Sequence, residues 1–224
     1  TQLAERLTVQ ETLRLFRSFY ERGPSVEELL ATVQLVEKRG SWVGRLSGGQ
    51  KQRLAVACGL AGDPDLLFLD EPTTGLDPQS RRALWDVILD FRRRGGTVLL
   101  TTHYMEEAAR LCDRVAIMDR GRIIAQGTPA ELVASLGAEH VVEFALADGA
   151  PPPPVGELLA LPGVTGVRAV GGQVALTVRE VHTAVPALLE LLGRRGAALA
   201  ALGTHHATLE DVFVALTGRH LRDG

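Results

Sequence analysis

Apolar positions in the first part of the chain recur at helical spacing. Thr8 and Glu11 form a capping-box pattern, and Leu13, Leu15, Phe16 and Tyr20 follow at intervals that predict an amphipathic helix. Arg22-Gly23-Pro24 breaks it, and Ser25 starts a second helix with Leu29, Leu30, Val33 and Val36 on its apolar face. From Asp63 the period changes. Residues 66–69, all apolar, read as a buried strand that stops at Asp70-Glu71-Pro72, because proline cannot continue it. Asp77-Pro78 is a helix N-cap followed by proline at the first helical position, and Leu84, Val87, Ile88 and Phe91 line one side of the helix that follows. Arg92, Arg93 and Arg94 at its end complement the helix dipole. Residues 97–102 form the next buried strand, so strand, helix and strand predict a parallel, right-handed βαβ unit.

Further along, residues 114–118 and 122–126 read as strands joined by a turn at Asp119-Arg120-Gly121, and Thr128 caps a short helix. After Gly137 the rhythm alters. Strands are expected at 141–146, 164–170, 173–179 and near 197–202, with the second and third joined across Gly171-Gly172. Pro151 to Pro154 reads as a stiff linker or turn, and helices are expected at 182–192 and 208–217. The order βαββαβα predicts a small ferredoxin-like α+β domain over residues 139–224. Residues 1–138 then divide into a helical part, 1–61, and an α/β part, 62–138.

With 224 residues and 46% apolar composition, the chain can bury one sizeable core or two smaller ones. A net charge of −3 gives no electrostatic case for nucleic acid. Cys58 and Cys112 lack metal-ligand spacing and read as reduced core residues. No apolar run reaches the roughly 18–20 residues that span a bilayer, and no secretory signal is visible, so a cytoplasmic location is expected.

Chemistry concentrates in a few stretches. In Leu46-Ser47-Gly48-Gly49-Gln50 a hydroxyl precedes two glycines that allow close backbone approach, and a helix over 51–61 follows. Free N–H groups and the helix dipole would then face an anion, although Ser47 and Gln50 also fit a capping box that needs no ligand. Asp70 and Glu71 end a strand, where alternation sends their side chains different ways to different work. His103 sits at the C-terminal end of the next strand, where ligands of open α/β sheets collect. Together these suggest a nucleotide-phosphate site with a metal. His205-His206 does not read as a metal site, because adjacent side chains point apart and no third ligand is evident.

Taken in order, LSGGQ-KQR, LLFLDEP, Thr74-Gly75-Leu76-Asp77-Pro78 and Thr101-Thr102-His103 resemble the ATPase subunit of ABC transporters, over roughly Leu7 to Gly127. They look like that family's signature loop, Walker B strand, D-loop and switch histidine. The end of the chain, from Leu209 to Arg219, resembles the daunorubicin-resistance type of exporter ATPase. The resemblance implies a P-loop NTPase-like α/β fold, two domains sandwiching two ATP molecules head to tail, and a separate transmembrane permease subunit at the cytoplasmic face of the membrane. It implies that Ser47, Gly48 and Gly49 meet the γ-phosphate held by the opposite chain, with Gln50 in the same nucleotide-binding loop. Asp70 would hold Mg²⁺, Glu71 would activate water, His103 would reach the γ-phosphate, and Asp77 would link the two sites. Drug or lipid export is the family's commoner theme.

One family element is not found. A phosphate loop G-x-x-x-x-G-K-[ST] needs lysine directly after glycine, yet Lys38 follows Glu37 and Lys51 follows Gln50. The family places that loop upstream of every motif seen here, so the chain reads as an N-terminally truncated fragment, expected to be inactive alone. Two rivals stay open: a non-hydrolytic regulatory half of an ABC heterodimer, and a non-transport ABC ATPase. Sequence upstream of Thr1 would discriminate the first.

Overall fold

The computed structural model describes residues 3–147, 150–170 and 173–218. The chain falls into two compact units, Thr1–His103 and Tyr104–Gly224.

In the first unit, helices α1 (Val9–Arg17), α2 (Val26–Thr32) and α3 (Gly48–Leu60) pack on one another. Each opens on a complete capping box, Thr8 with Glu11, Ser25 with Glu28 and Ser47 with Gln50. These reciprocal bonds satisfy amide groups that no helix can satisfy internally. Val9, Leu13, Leu29, Leu30, Leu54 and Ala57 are among the buried apolar positions these helices contribute. A short extended crossing ties the start of α1 to the segment before α3. The Val9 N–H donates to the Ser41 carbonyl at 3.0 Å, and the Val43 N–H to the Leu7 carbonyl at 2.9 Å. The expected apolar stripe on α1 is only partly buried: Leu13 is enclosed, whereas Leu15 and Tyr20 face solvent. Val36 lies beyond α2 in a short 3-10 turn, because the helix closes at Thr32 and Gln34 takes a positive φ of 55°.

Strand β1 (Leu66–Asp70), helix α4 (Pro78–Arg93) and strand β2 (Thr97–Thr101) form the predicted βαβ unit, with β1 and β2 parallel. The register runs from Leu66 opposite Thr97 to Asp70 opposite Thr101. Leu84, Trp85, Val87, Ile88 and Phe91 bury one side of α4. The strand is not buried on both faces as expected. Leu67 and Leu69 are enclosed, but Leu66 is 45% and Phe68 67% exposed, and Leu99 of β2 is 57% exposed. Apolar strand composition predicts two covered faces, and the first unit supplies helices for one.

In the second unit, α5 (Met105–Leu111), the antiparallel pair β3 (Val115–Asp119) and β4 (Arg122–Gly127), and α6 (Pro129–Ala134) enclose Ala108, Ile117 and Leu132. Arg120 and Gly121 both take positive φ, 48° and 74°, as a two-residue hairpin matched to strand twist requires. Next come β5 (His140–Leu146), α7 (Val155–Leu159), β6 (Val164–Val170), β7 (Gln173–Val178), α8 (Val181–Arg194), β8 (Leu199–His206) and α9 (Leu209–Thr217). The four strands form one antiparallel sheet in the order β6-β7-β5-β8, separate from the β1–β2 pair. Val142, Phe144, Val174, Leu176 and Val178 turn to a single face, where Leu158 of α7 and Ala184, Leu188 and Leu192 of α8 cover them. Proline-rich sequence before Val155 ends in α7 rather than in a turn alone. The Gly171-Gly172 turn and Arg219 lie outside the described residues.

The last helix does not join α7 and α8. Leu209 and Val212 of α9 enter the cluster formed by α5, β3 and α6. Its first turn is held to the sheet by Asp211, which accepts the Thr208 N–H and hydroxyl, each at 2.8 Å, and lies 3.3 Å from His205 Nε2. Arg168 Nη1 donates to the Asp211 carbonyl at 2.9 Å. His206 faces the other way, its ring 4.5 Å from that of His140, so the adjacent histidines do point apart. Among the described residues no group of three or more candidate ligands is arranged for a metal.

Phe144 is 1% exposed at the centre of the sheet's core. Phe144→Ala is expected to destabilise this sheet by about 3–5 kcal/mol. Hydrogen exchange would show it as lost amide protection across β5 and β7.

Candidate functional site

Every candidate site residue read from the sequence lies in the first unit, in two groups. The first surrounds the start of α3. The helix begins at Gly48 and not after Gln50, so both glycines belong to its first turn. Ser47 is the N-cap: its Oγ accepts the Gln50 N–H at 3.3 Å, and Gln50 Oε1 accepts the Ser47 N–H at 3.0 Å. The capping reading is therefore realised. It leaves the Gly48 and Gly49 N–H groups without an acceptor among the described residues, and leaves the Ser47 hydroxyl hydrogen able to donate.

The two glycines do different things. A Cβ on Gly49 would lie 2.4 Å from Ser80 Oγ, so the close approach of α3 to α4 requires glycine there. A Cβ on Gly48 would meet nothing within 4 Å. Among the described residues, nothing calls for glycine at 48. Ser80 also connects this group to Asp77, the N-cap of α4. Asp77 Oδ1 accepts the Gln79 and Ser80 N–H groups at 3.0 and 2.9 Å, and Oδ2 accepts the Ser80 hydroxyl at 2.6 Å. These bonds, the Ser80 hydroxyl first, hold the Asp77 carboxyl below the usual carboxylate range.

The second group sits at the C-terminal ends of β1 and β2. Parallel pairing sets Asp70 beside Thr101, and the Thr101 hydroxyl donates a short hydrogen bond to Asp70 Oδ1. Glu71 follows with a φ of +44°, a left-handed conformation unusual for a residue with a Cβ. Such strain costs of order 1–3 kcal/mol and persists only where surrounding bonds hold it. Here the Glu71 N–H donates to the Thr101 carbonyl at 3.0 Å and to its Oγ1 at 3.2 Å. Thr74 Oγ1 donates to Glu71 Oε2 at 3.0 Å, and His103 Nδ1 lies 3.3 Å from the same oxygen. The Glu71 and His103 side chains are 48% and 39% exposed, so the pair is accessible.

Thus Asp70, Glu71 and His103 come together, while Asp77 belongs with the start of α3 through Ser80. Thr74 and Thr101 join these residues without belonging to any pattern that predicts chemistry for them from sequence. Strands of equal length in a parallel pair bring their last residues level, which is the signal that places Thr101 beside Asp70.

The family described as ABC transporter matches residues 1–74. The Nod factor export ATP-binding protein I of Burkholderia lata is 40% identical over 223 residues, covering 96% of this chain and 69% of that protein. The protein of the same name from Ralstonia nicotianae is 41% identical over 227 residues, covering 96% and 68%. The chain belongs to the ABC transporter ATP-binding family. Among solved structures, the ATP-binding subunit of an ABC transporter matches with a TM-score of 0.52 and 32% identity, over 61% of this chain and 59% of its own. An ATP-binding cassette dimer in a post-hydrolysis state with ADP and Pi matches with a TM-score of 0.50 and 26% identity, over 57% and 59%. The chain therefore spans about three-fifths of these solved ABC cassettes, and its α/β fold is that of the ABC nucleotide-binding domain. No helix among the described residues is long and apolar enough to cross a membrane.

Asp77 also gives the site a pH signature. Its carboxyl is depressed in the folded chain, so its contribution to stability is complete above the unfolded carboxylate pKa, about 4. That contribution is lost as pH falls through the lower folded value. Asp77→Ala is expected to lower the urea midpoint at pH 7, with the difference from the parent shrinking at more acid pH. Equal loss at all pH values would show that the charge is not what caps α4.

Proposed function

We propose that this chain is the ATP-binding, ATP-hydrolysing part of an ABC exporter, acting at the interface of a head-to-tail dimer of such domains. The observation that carries the reading is the accessible Glu71–His103 pair beside Asp70, set at the ends of two parallel strands. Gly48 supports it from the other group, because its missing side chain makes room for no neighbour among the described residues and suits close approach by a phosphate from outside.

In this reading the Gly48 and Gly49 N–H groups and the Ser47 hydroxyl donate to the γ-phosphate of a nucleotide held by the opposite domain, and Gln50 holds Ser47 in place. Capping and phosphate binding are compatible, since the cap uses a lone pair of Ser47 Oγ and not its hydrogen. Glu71 Oε2 orients the attacking water and accepts its proton. His103 donates to the γ-phosphate as charge develops, and Asp77 fixes the geometry between the two nucleotide sites through Ser80.

Asp70 fits Mg²⁺ in one specific sense. Thr101 engages Oδ1, which leaves Oδ2, and magnesium is commonly held by one or two carboxylates together with substrate phosphates and water. Bound there, the ion would neutralise phosphate charge. Residues 1–224 contain no glycine–lysine phosphate loop, so hydrolysis is proposed only for the protein in which such a loop is present.

The relatives named for Nod factor export support an export role. The exported molecule is proposed to be a drug or lipid, moved by a separate transmembrane permease with this subunit on the cytoplasmic face. Residues 139–224 are proposed as a ferredoxin-like accessory domain following the ATPase part, 1–138. The antiparallel order β6-β7-β5-β8 with α7 and α8 on one face supports that assignment.

The decisive variant is Glu71→Gln in the full-length protein. It keeps the shape and removes the basic carboxylate, so steady-state hydrolysis is expected to fall on the order of 10²–10⁴-fold. ATP binding should persist, and dimer should accumulate in size-exclusion chromatography with ATP. Turnover near the parent value would assign the base elsewhere, with His103 next in line.

A further inference from the structure

We propose that Thr101 is a positioning residue for hydrolysis, holding the metal-binding carboxylate and the catalytic base with one side chain. The inference rests on the roles proposed above for Asp70 and Glu71. Its hydroxyl is used in both directions: the hydrogen goes to Asp70 Oδ1, and a lone pair accepts the Glu71 N–H at 3.2 Å. The Thr101 carbonyl takes the same N–H at 3.0 Å. One residue therefore orients Asp70 and stabilises the backbone turn that aims Glu71.

The geometry explains why a hydroxyl is needed. Asp70 and Thr101 are register partners on parallel strands, so their side chains leave the sheet on the same face. With Oδ1 pinned, the carboxylate cannot rotate freely, and Oδ2 is presented in one direction. Glu71, at φ +44°, would relax toward an ordinary conformation without restraint, and the Thr101 hydroxyl is one of the two acceptors that restrain it. Thr101 itself is exposed at the end of β2, away from the buried core. Replacing it with valine keeps a β-branched strand residue of similar shape, and removes only the hydroxyl.

The test compares Thr101→Val and Thr101→Ser with Asp70→Asn and Glu71→Gln, all in the full-length protein. Steady-state kcat and Mn²⁺ affinity of the ADP-loaded protein by electron paramagnetic resonance titration are measured, with nucleotide affinity in the absence of metal as the control. Loss of a group that orients a metal ligand typically costs on the order of 10–100-fold in metal affinity or activity. Thr101→Val is expected to lose both within that range while nucleotide affinity without metal is unchanged, and Thr101→Ser to restore the larger part of each. Should the valine variant fail to fold, Thr101→Cys, with its weak S–H donor, is expected to fall between parent and that range. If Asp70→Asn and Glu71→Gln are impaired but Thr101→Val matches the parent in both quantities, the positioning role is wrong and the site reading stands. If Asp70→Asn and Glu71→Gln both match the parent, the site reading itself fails, and the inference falls with it. Equal loss in Thr101→Val and Thr101→Ser would also overturn it, by showing that side-chain packing and not the hydroxyl matters.

Discussion

Level ends on two parallel strands are the constraint from which the site follows. A parallel pair has slanted, evenly spaced hydrogen bonds and no hairpin to set its register, so α4 must return the chain to the correct position. It does so by starting at a firmly capped Asp77 and burying its apolar side up to Phe91. A shift of one residue would carry the Thr101 side chain to the far face, away from Asp70, and release the Asp70 carboxylate and the Glu71 backbone N–H from its hydroxyl at once. The chemistry of the site is thus a property of helix packing some distance from it.

The same helix serves the other group. Ser80, in the first turn of α4, bonds Asp77 and lies where a Gly49 side chain would be. The N-termini of α3 and α4 are consequently locked together with almost no space between them. Small residues at that crossing make the two helix starts a rigid pair, and rigidity is what electrostatic preorganisation requires.

Much of this was legible in the sequence where local rules decide. The capping boxes at Thr8 and Ser47, the helix starts at Ser25 and Thr128, the Asp77-Pro78 start and the Arg120-Gly121 hairpin all involve residues within a few positions of one another, and all formed as expected. The Asp70, Glu71 and His103 neighbourhood was legible because strand ends gather in α/β sheets. Exposure was not. Leu66, Phe68 and Leu99 look like core from composition, but burial depends on what covers the sheet, which no strand encodes. Nor was the left-handed turn at Glu71, since its cause is a threonine thirty positions away in sequence. The strand expected to finish near 202 runs to His206 because its partner β5 continues to His140.

The placement of α9 has a consequence for how the chain matures. The cluster of α5, β3 and α6 is closed by Leu209 and Val212, and these residues are separated from it in sequence by the whole four-stranded sheet. Contacts of such long range form late, because the intervening chain must first be ordered. As a polypeptide emerges from the ribosome N-terminus first, the elements around Ile117 wait with an open apolar side until the sheet is built and α9 arrives. Asp211 then joins the two layers as α9 docks, its carboxylate beside His205 and its carbonyl taken by Arg168. Completion of the second unit is therefore a single late event, and a ribosome stalled before Thr208 would display a half-built core to the cell's quality control.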